Sequence, residues 1–199
     1  MNLLMRRAVV ISIPLIIGLT GVFICVYLAT QQNYRQSAND PQIQIAEQMA
    51  SLVAGGESFT NLIGSQSPID ISTSVGTWLT EYDSKGTPLV SNGLLEGAMP
   101  KLPAGVFDTG TWSAQKKWEA PSGPETRITW QPNKSVRQAV VLVRYTDAKG
   151  TVGFVAVGRS LKTTEERIIG LGVNVLLAWV VTLVGVLISI VLLLFLGLV

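Results

Sequence analysis

The stretch VVLVRYTDAKGTVGFVAV, residues 140–157, predicts a buried hairpin at the centre of a β-sheet. Val141 and Val143 fall on one side of its first strand, while Val140 and Leu142 fall on the other. Apolar residues on both sides are typical of a strand whose two faces are covered. We therefore expect this hairpin to lie inside a sheet and other elements to pack on both of its faces.

A second hairpin is predicted in TWLTEYDSKGTPLV, residues 77–90, because it repeats the pattern Asp-x-Lys-Gly-Thr. Asp83 and Asp147 start the two turns, and Gly86 and Gly150 supply the positive φ that the end of each loop requires. We interpret the repeat as turn chemistry used twice, not as a duplicated domain. For the same reason the two aspartates are not expected to act as a catalytic pair.

Other local patterns complete the domain. Residues 126–131 predict one more strand, and residues 94–124 form a connection rich in Gly and Pro that leaves room only for short helices or turns. Before the first hairpin, Asn39 or Asp40 followed by Pro41 indicates the start of a helix, and Gly55 its end. The expected apolar face of this helix contains Ile45, Met49, Leu52 and Val53, with Ala46 and Ala50 near it. This order of elements predicts an α+β domain built on an antiparallel sheet.

Two uncharged stretches flank the domain. Residues 8–30 contain 23 uncharged residues and residues 168–199 contain 32, against about 20 needed to span a bilayer. The first stretch is too long for the apolar region of a cleaved signal peptide, which is the alternative, and lacks a clear cleavage site after it. We predict one transmembrane helix in each stretch, the second tilted or protruding because of its length.

Charge sets the expected orientation. Arg6 and Arg7 precede the first apolar stretch, and such residues are retained on the cytoplasmic side. We expect residues 1–7 in the cytoplasm, transmembrane helices at 8–30 and 168–199, and an extracytoplasmic domain at 31–167, in the cell membrane. That domain has 13 basic and 13 acidic residues, so its charge gives no indication of nucleic-acid binding.

Three segments carry a resemblance to a known family: NDPQIQIAE (39–47), YDSKGTPLVSNGLLEG (82–97) and VGFVAVGRSLKTTEERI (152–168). In layout the chain resembles the extracytoplasmic Cache or PDC-type (PAS-like) sensor region of bacterial histidine kinases and chemoreceptors. The resemblance implies a mixed five-stranded sheet that binds a small ligand and a last strand that feeds a helix into the second span. The chain departs from the family because no output module follows Val199, so a signal is expected to pass to another protein.

The residue types present exclude several kinds of chemistry. The chain has no histidine, and its one cysteine, Cys25, lies in the first apolar stretch. Histidine-dependent triads and zinc clusters are therefore excluded. We predict no catalytic residue, no metal and no cofactor, and rank an enzyme working through carboxylates third among the hypotheses. Asn133-Lys134-Ser135 matches a glycosylation acceptor, which matters only in a eukaryotic secretory pathway.

Aromatic and basic residues of the domain are the candidates for ligand binding. Aromatic walls with a few cations are typical of a pocket for a small anionic or amphipathic molecule. The alternative is that the tryptophans fill the core and the arginines are solvated or pair with Glu81 and Glu125. The tryptophans are Trp78, Trp112, Trp118 and Trp130, and the arginines are Arg127, Arg137, Arg144 and Arg159. We predict a pocket at Trp130, Arg137 and Tyr145, because they bracket the most buried predicted strand.

Small residues form one stripe on each apolar helix. The second helix carries Asn174, Ala178, Thr182, Gly185 and Ser189, and the first carries Pro14, Gly18, Gly21, Cys25 and Ala29. Small residues let membrane helices approach closely. We expect the stripes to pack against each other within one chain, or against another chain.

These features lead to two main hypotheses. The first is a sensor-like module that binds a small ligand and signals through lateral transmembrane contacts to a homodimer partner, a kinase or a transporter. The second is a non-enzymatic membrane interaction or assembly subunit whose outside domain binds another protein.

Overall fold

The computed structural model describes residues 3–37, 39–64, 67–108, 119–120 and 123–196. The chain divides into two units. One, the helix pair, is built from two long helices, α1 (Leu3–Ser37) and α4 (Lys162–Phe195). The other, residues 36–163, we call the sheet domain.

The sheet domain begins with two helices and continues with strands. The helices are α2 (Asp40–Ala54) and α3 (Phe59–Ile63). The strands are β1 (Ile69–Asp70), β2 (Thr77–Tyr82), β3 (Pro88–Ser91), β4 (Gly93–Leu94), β5 (Glu119–Ala120), β6 (Gly123–Asn133), β7 (Val136–Thr146) and β8 (Val152–Ser160). A short 3₁₀ turn at Ala104–Val106 lies in the connection between β4 and β5.

The main sheet has the strand order β3-β2-β8-β7-β6-β5. In chain order β2 is the first strand of this sheet and β8 the last, and the two are neighbours inside it. The predicted α+β class with an antiparallel sheet is confirmed. The resemblance implied a mixed sheet, but the described pairings in this sheet are all antiparallel, and the parallel pair β1-β4 forms a separate small sheet.

Both predicted hairpin turns are confirmed. One carboxylate oxygen of Asp83 accepts the backbone N–H groups of Lys85 and Thr87, at 2.8 and 2.7 Å. Asp147 does the same in the other turn, and Gly86 and Gly150 both have φ of +82°. In each turn these hydrogen bonds lower the pKa of the aspartate, and the bond from the backbone N–H of the threonine contributes most. The aspartates therefore act as turn residues.

The prediction that the hairpin at 140–157 is buried inside the sheet is also confirmed. Val140, Val141, Leu142 and Val143 in β7 are all fully buried. A third hairpin, between β6 and β7, was not predicted. Its turn is closed by Asn133, whose side-chain oxygen accepts the backbone N–H groups of the residues two and three positions later.

The two faces of the sheet are covered differently. On the helix face, α2 packs on the valines of β7 and β8, and α3 packs beside it against β3. On the loop face, the connection after β4 packs Leu102 and Phe107 on the large side chains Trp78, Tyr82 and Phe154.

The buried face of α2 differs from the predicted one. Its centre is Ala46, Ala50 and Val53, together with Gln42, whereas Leu52 is 36% exposed. Alanines bring the helix backbone close to a sheet surface already filled by valines, so the larger side chains are displaced to the edges of the contact.

Helices α1 and α4 are both long and apolar enough to cross a membrane, and the most apolar window of each has no buried residue. Helix α4 is continuous from Lys162 to Phe195, as the single-helix prediction required. Helix α1 extends beyond the predicted span 8–30 at both ends.

Candidate functional site

Trp130, the first residue of the predicted pocket, lies in the core of the loop face and is 6% exposed. Its ring contacts Trp78 edge to face, with 5.8 Å between centroids. The indole N–H of Trp78 donates to the side-chain oxygen of Gln138 at 3.2 Å, and the amide of Gln138 donates to the carbonyl of Ile71. The buried polar atoms of this cluster are therefore bonded to each other.

Trp78 lies in this position because its neighbours are glycines. It pairs with Gly158 on the adjacent strand β8, and a Cβ at Gly158 would collide with the indole ring. A Cβ at Gly93 would lie 2.6 Å from the Cβ of Trp78. Glycine inside a strand is a signal of close approach by another group, which is the signal that could have identified this contact from sequence.

Tyr145, the third predicted residue, lies on the opposite, helix face. Its hydroxyl donates to Glu81 Oε1 at 2.5 Å, and the ring passes over Gly153, its partner on β8. The side chain thus joins β7 to β2 across β8. Burial raises the pKa of Tyr145, and the hydrogen bond to Glu81 and the charges of Glu81 and Asp147 raise it further.

Arg137, the second predicted residue, is exposed at the start of β7. By strand alternation it lies on the same side as Tyr145, but eight residues earlier, about 26 Å away along the strand. The structure therefore does not bring Trp130, Arg137 and Tyr145 together, and their role in ligand binding stays a prediction. Trp112 and Trp118 lie outside the described residues.

Glu125 and Arg127 form an ion pair, as the alternative to a ligand site had suggested. Arg127 donates two hydrogen bonds to Glu125 Oε1, through Nε at 3.0 Å and Nη2 at 2.5 Å. The Glu125 side chain is 6% exposed, and its second oxygen is buried without a hydrogen-bond partner among the described residues. Sequence reasoning named the pairing of Glu125 but did not indicate its burial.

The helix pair is held together by contacts that the sequence analysis missed. The indole N–H of Trp179 donates to the hydroxyl of Thr20 at 3.0 Å. Tyr27 lies against Gly172, since a Cβ there would be 3.6 Å from the Tyr27 ring. Both contacts join α1 to α4 within one chain.

Between these two contacts lies an open groove of about 330 Å³. Its lining is almost entirely apolar, with the hydroxyl of Thr20 among its few polar atoms. The residues are Thr20, Phe23, Ile24 and Tyr27 of α1 and Gly172, Val175, Leu176 and Trp179 of α4.

The predicted small-residue stripes lie away from this contact. In α4, Asn174, Ala178, Gly185 and Ser189 are exposed and Thr182 is half-buried. In α1, all five residues of the stripe are exposed: Pro14, Gly18, Gly21, Cys25 and Ala29. Of the two expected uses of the stripes, packing against each other within the chain is not what the helix pair shows.

Comparison with protein-family models finds no match for this chain, and comparison with curated proteins finds none either.

Proposed function

We propose that the chain is a membrane-anchored, sensor-like module. The helix pair spans the cell membrane twice, with the N-terminus in the cytoplasm and the sheet domain outside. The domain binds a small ligand, and the helices pass the change to a partner membrane protein through lateral contacts. The partner is a second copy of the chain, a kinase or a transporter.

The observation that carries this proposal is the exposure of both small-residue stripes. Beyond its adjacent residues and the backbone of its own helix, no described heavy atom lies within 4 Å of the Cβ that Gly18, Gly21 or Gly185 would carry. The helix pair therefore uses other faces for its own packing and keeps these two open. Small residues on an open face allow the backbone of another membrane helix to come close.

A direct chain connection supports a coupling between domain and membrane. Strand β8, which lies inside the sheet between β2 and β7, ends at Ser160, and α4 begins at Lys162. The backbone N–H of Lys162 donates to the Ser160 hydroxyl at 3.3 Å, which satisfies one of the N–H donors that a helix start leaves unpaired. Only Leu161 separates the strand from the helix, and this short connection is the one that the proposed coupling uses.

The sheet domain is compatible with the PAS-like resemblance. It has five antiparallel strands of four to eleven residues, one face covered by an N-terminal helix, and a final strand that leads into the exit helix. These features support the proposed family at the level of layout only.

Cysteine labelling in intact cells tests the membrane arrangement. With Cys25 replaced by Ser, we expect Glu96→Cys, in an exposed turn of the sheet domain, to react with an impermeant maleimide from outside. Asn2→Cys is expected to react only after permeabilisation. Equal reaction of both positions in intact cells would contradict the two-span arrangement.

A second candidate function is an assembly subunit without a small ligand. The separation of Trp130, Arg137 and Tyr145 favours it, because no shared pocket is formed by these three residues. The two functions differ in the response of the purified protein to a small-molecule extract of the host cells. Thermal stabilisation that is lost in Trp130→Ala, Arg137→Ala or Tyr145→Phe supports the sensor, and co-purification of a partner with no such response supports the subunit.

A further inference from the structure

The groove between α1 and α4 is lined by the halves of the two apolar stretches that adjoin the sheet domain in the chain. Thr20 and Tyr27 belong to the half of residues 8–30 that leads into the sheet domain, and Gly172 and Trp179 belong to the half of residues 168–199 that follows it. In a two-span arrangement both walls therefore lie in the same leaflet, the one nearer the outside domain.

The length of the groove fits this leaflet. From Thr20 to Tyr27 a helix rises about 10 Å, and one leaflet of hydrocarbon is about 15 Å thick. The groove also runs along the helices, which is the direction of the lipid chains around them. Its volume of about 330 Å³ is at the lower end of the range of sites for small molecules.

The walls of the groove disfavour other occupants. Close packing of another helix requires a continuous set of small residues, but the groove presents Phe23, Tyr27 and Trp179, and neither small-residue stripe contributes to its lining. Water is disfavoured because a site needs several polar partners to hold it. A flexible apolar chain fills an irregular groove with large side chains at its rim and loses no hydrogen bond by doing so.

We propose that this groove holds one acyl chain of a membrane lipid from the leaflet nearer the sheet domain. The bound chain completes the packing between α1 and α4 beside the Trp179–Thr20 hydrogen bond. The inference rests on the membrane placement in the proposed function, but not on a ligand of the sheet domain or on the small-residue stripes.

Photocrosslinking of the full chain tests the site. The protein is reconstituted in vesicles of phosphatidylcholine and phosphatidylglycerol that contain a phosphatidylcholine with a diazirine midway along one acyl chain. After irradiation, mass spectrometry is expected to find lipid adducts concentrated on residues 20–27 and 172–179.

Variants that fill the groove from opposite walls provide the specific test. Ile24→Phe and Val175→Phe are expected to lose this concentration of adducts. Val22→Phe and Val184→Phe, which add the same side chain outside the groove on the same two helices, are expected to keep it. Agreement between the two filling variants separates a filled groove from a local defect in one helix.

Two results would overturn the acyl-chain site in a protein that resists alkaline extraction from the vesicles. One is an even spread of adducts along both helices, and the other is a depletion of adducts at the groove residues relative to the rest of both helices, as another protein helix seated in the groove would produce. Release of the protein by alkaline extraction would instead overturn the membrane placement itself, and the lipid site with it.

Discussion

Small residues have opposite environments in the two units of the chain. In the sheet domain, Gly93 and Gly158 lie against Trp78, and Gly153 lies against Tyr145. Ala46 and Ala50 of α2 pack against the sheet. In the helix pair, the described surroundings of Gly18, Gly21 and Gly185 are open space. The same residue types thus complete the packing in one unit and remain available for packing in the other.

This difference separates stability from association. Substitutions of small residues in the sheet domain are expected to destabilise it, because a partner already occupies the space. Substitutions in the stripes are expected to leave folding unchanged and to affect only contacts with other helices. Substitutions at small residues of each unit test this separation.

The largest effect is expected for Gly158→Val. The new side chain collides with Trp78, which is fully buried and has nowhere to move, so the loss in free energy of unfolding is expected to exceed about 3 kcal/mol. Gly105→Ala, where no described heavy atom lies within 4 Å of the new Cβ, is the matched control and is expected to change stability by less than about 0.5 kcal/mol. Urea unfolding of residues 36–163, which contain both core clusters, measures both.

A double-mutant cycle assigns the cause. If the collision with Trp78 accounts for the loss, then Gly158→Val and Trp78→Leu together cost less than the sum of the single variants. Simple additivity would refute this contact as the reason for the glycine.

A smaller loss is expected for Ala50→Leu in α2. Ala50 is fully buried between the helix and the sheet, and overpacking such a site typically costs about 1–3 kcal/mol. Leu52→Ala, two residues later and 36% exposed, is expected to cost less than about 0.5 kcal/mol. The reverse ranking in thermal unfolding would favour the helix face predicted from sequence over the one described here.

A still smaller loss, about 1 kcal/mol, is expected for Tyr145→Phe, which removes only the hydroxyl that donates to Glu81. A raised pKa means that the folded state favours the protonated phenol. The contribution of the Tyr145 hydroxyl to the free energy of unfolding is therefore complete below the ordinary pKa of 10.0 and is lost as the pH rises above that value.

Unfolding measured from pH 8 to pH 11 should consequently show a smaller alkaline loss in Tyr145→Phe than in the parent domain. The loss that remains is assigned to Tyr82, the other tyrosine of residues 36–163, whose pKa burial also raises. An identical alkaline slope in both proteins would show that Tyr145 is not protected by the fold.

The elements that sequence patterns predicted correctly are local ones. The hairpins at 77–90 and 140–157 follow from side-chain alternation and from Asp and Gly at fixed turn positions, which act within a few residues. The turn at Asn133 depends on the same chemistry but lacks a glycine, and its sequence was interpreted only as a glycosylation acceptor.

The features that were missed join residues far apart in the chain. Trp78 and Gly158 are separated by 80 positions, and Thr20 and Trp179 by 159, so neither contact leaves a periodic pattern. The face of α2 was predicted from the largest apolar residues, whereas close packing selected the alanines. The stripes were recognised, but which way they face is decided by Tyr27 and Trp179.

The lateral contact of the open stripes is the central claim, and chemical crosslinking of the full chain in native membranes tests it most directly. Combining Ala178→Leu with Gly185→Leu places bulky side chains on the open stripe of α4. Combining Leu187→Ala with Leu192→Ala changes exposed residues outside that stripe and serves as the control. Both are expected to leave the melting temperature of the sheet domain unchanged. We predict that the first pair lowers the yield of crosslinked species, with itself or with another membrane protein, by several-fold, while the second pair does not. Equal yields from both pairs and the parent chain would contradict the claim.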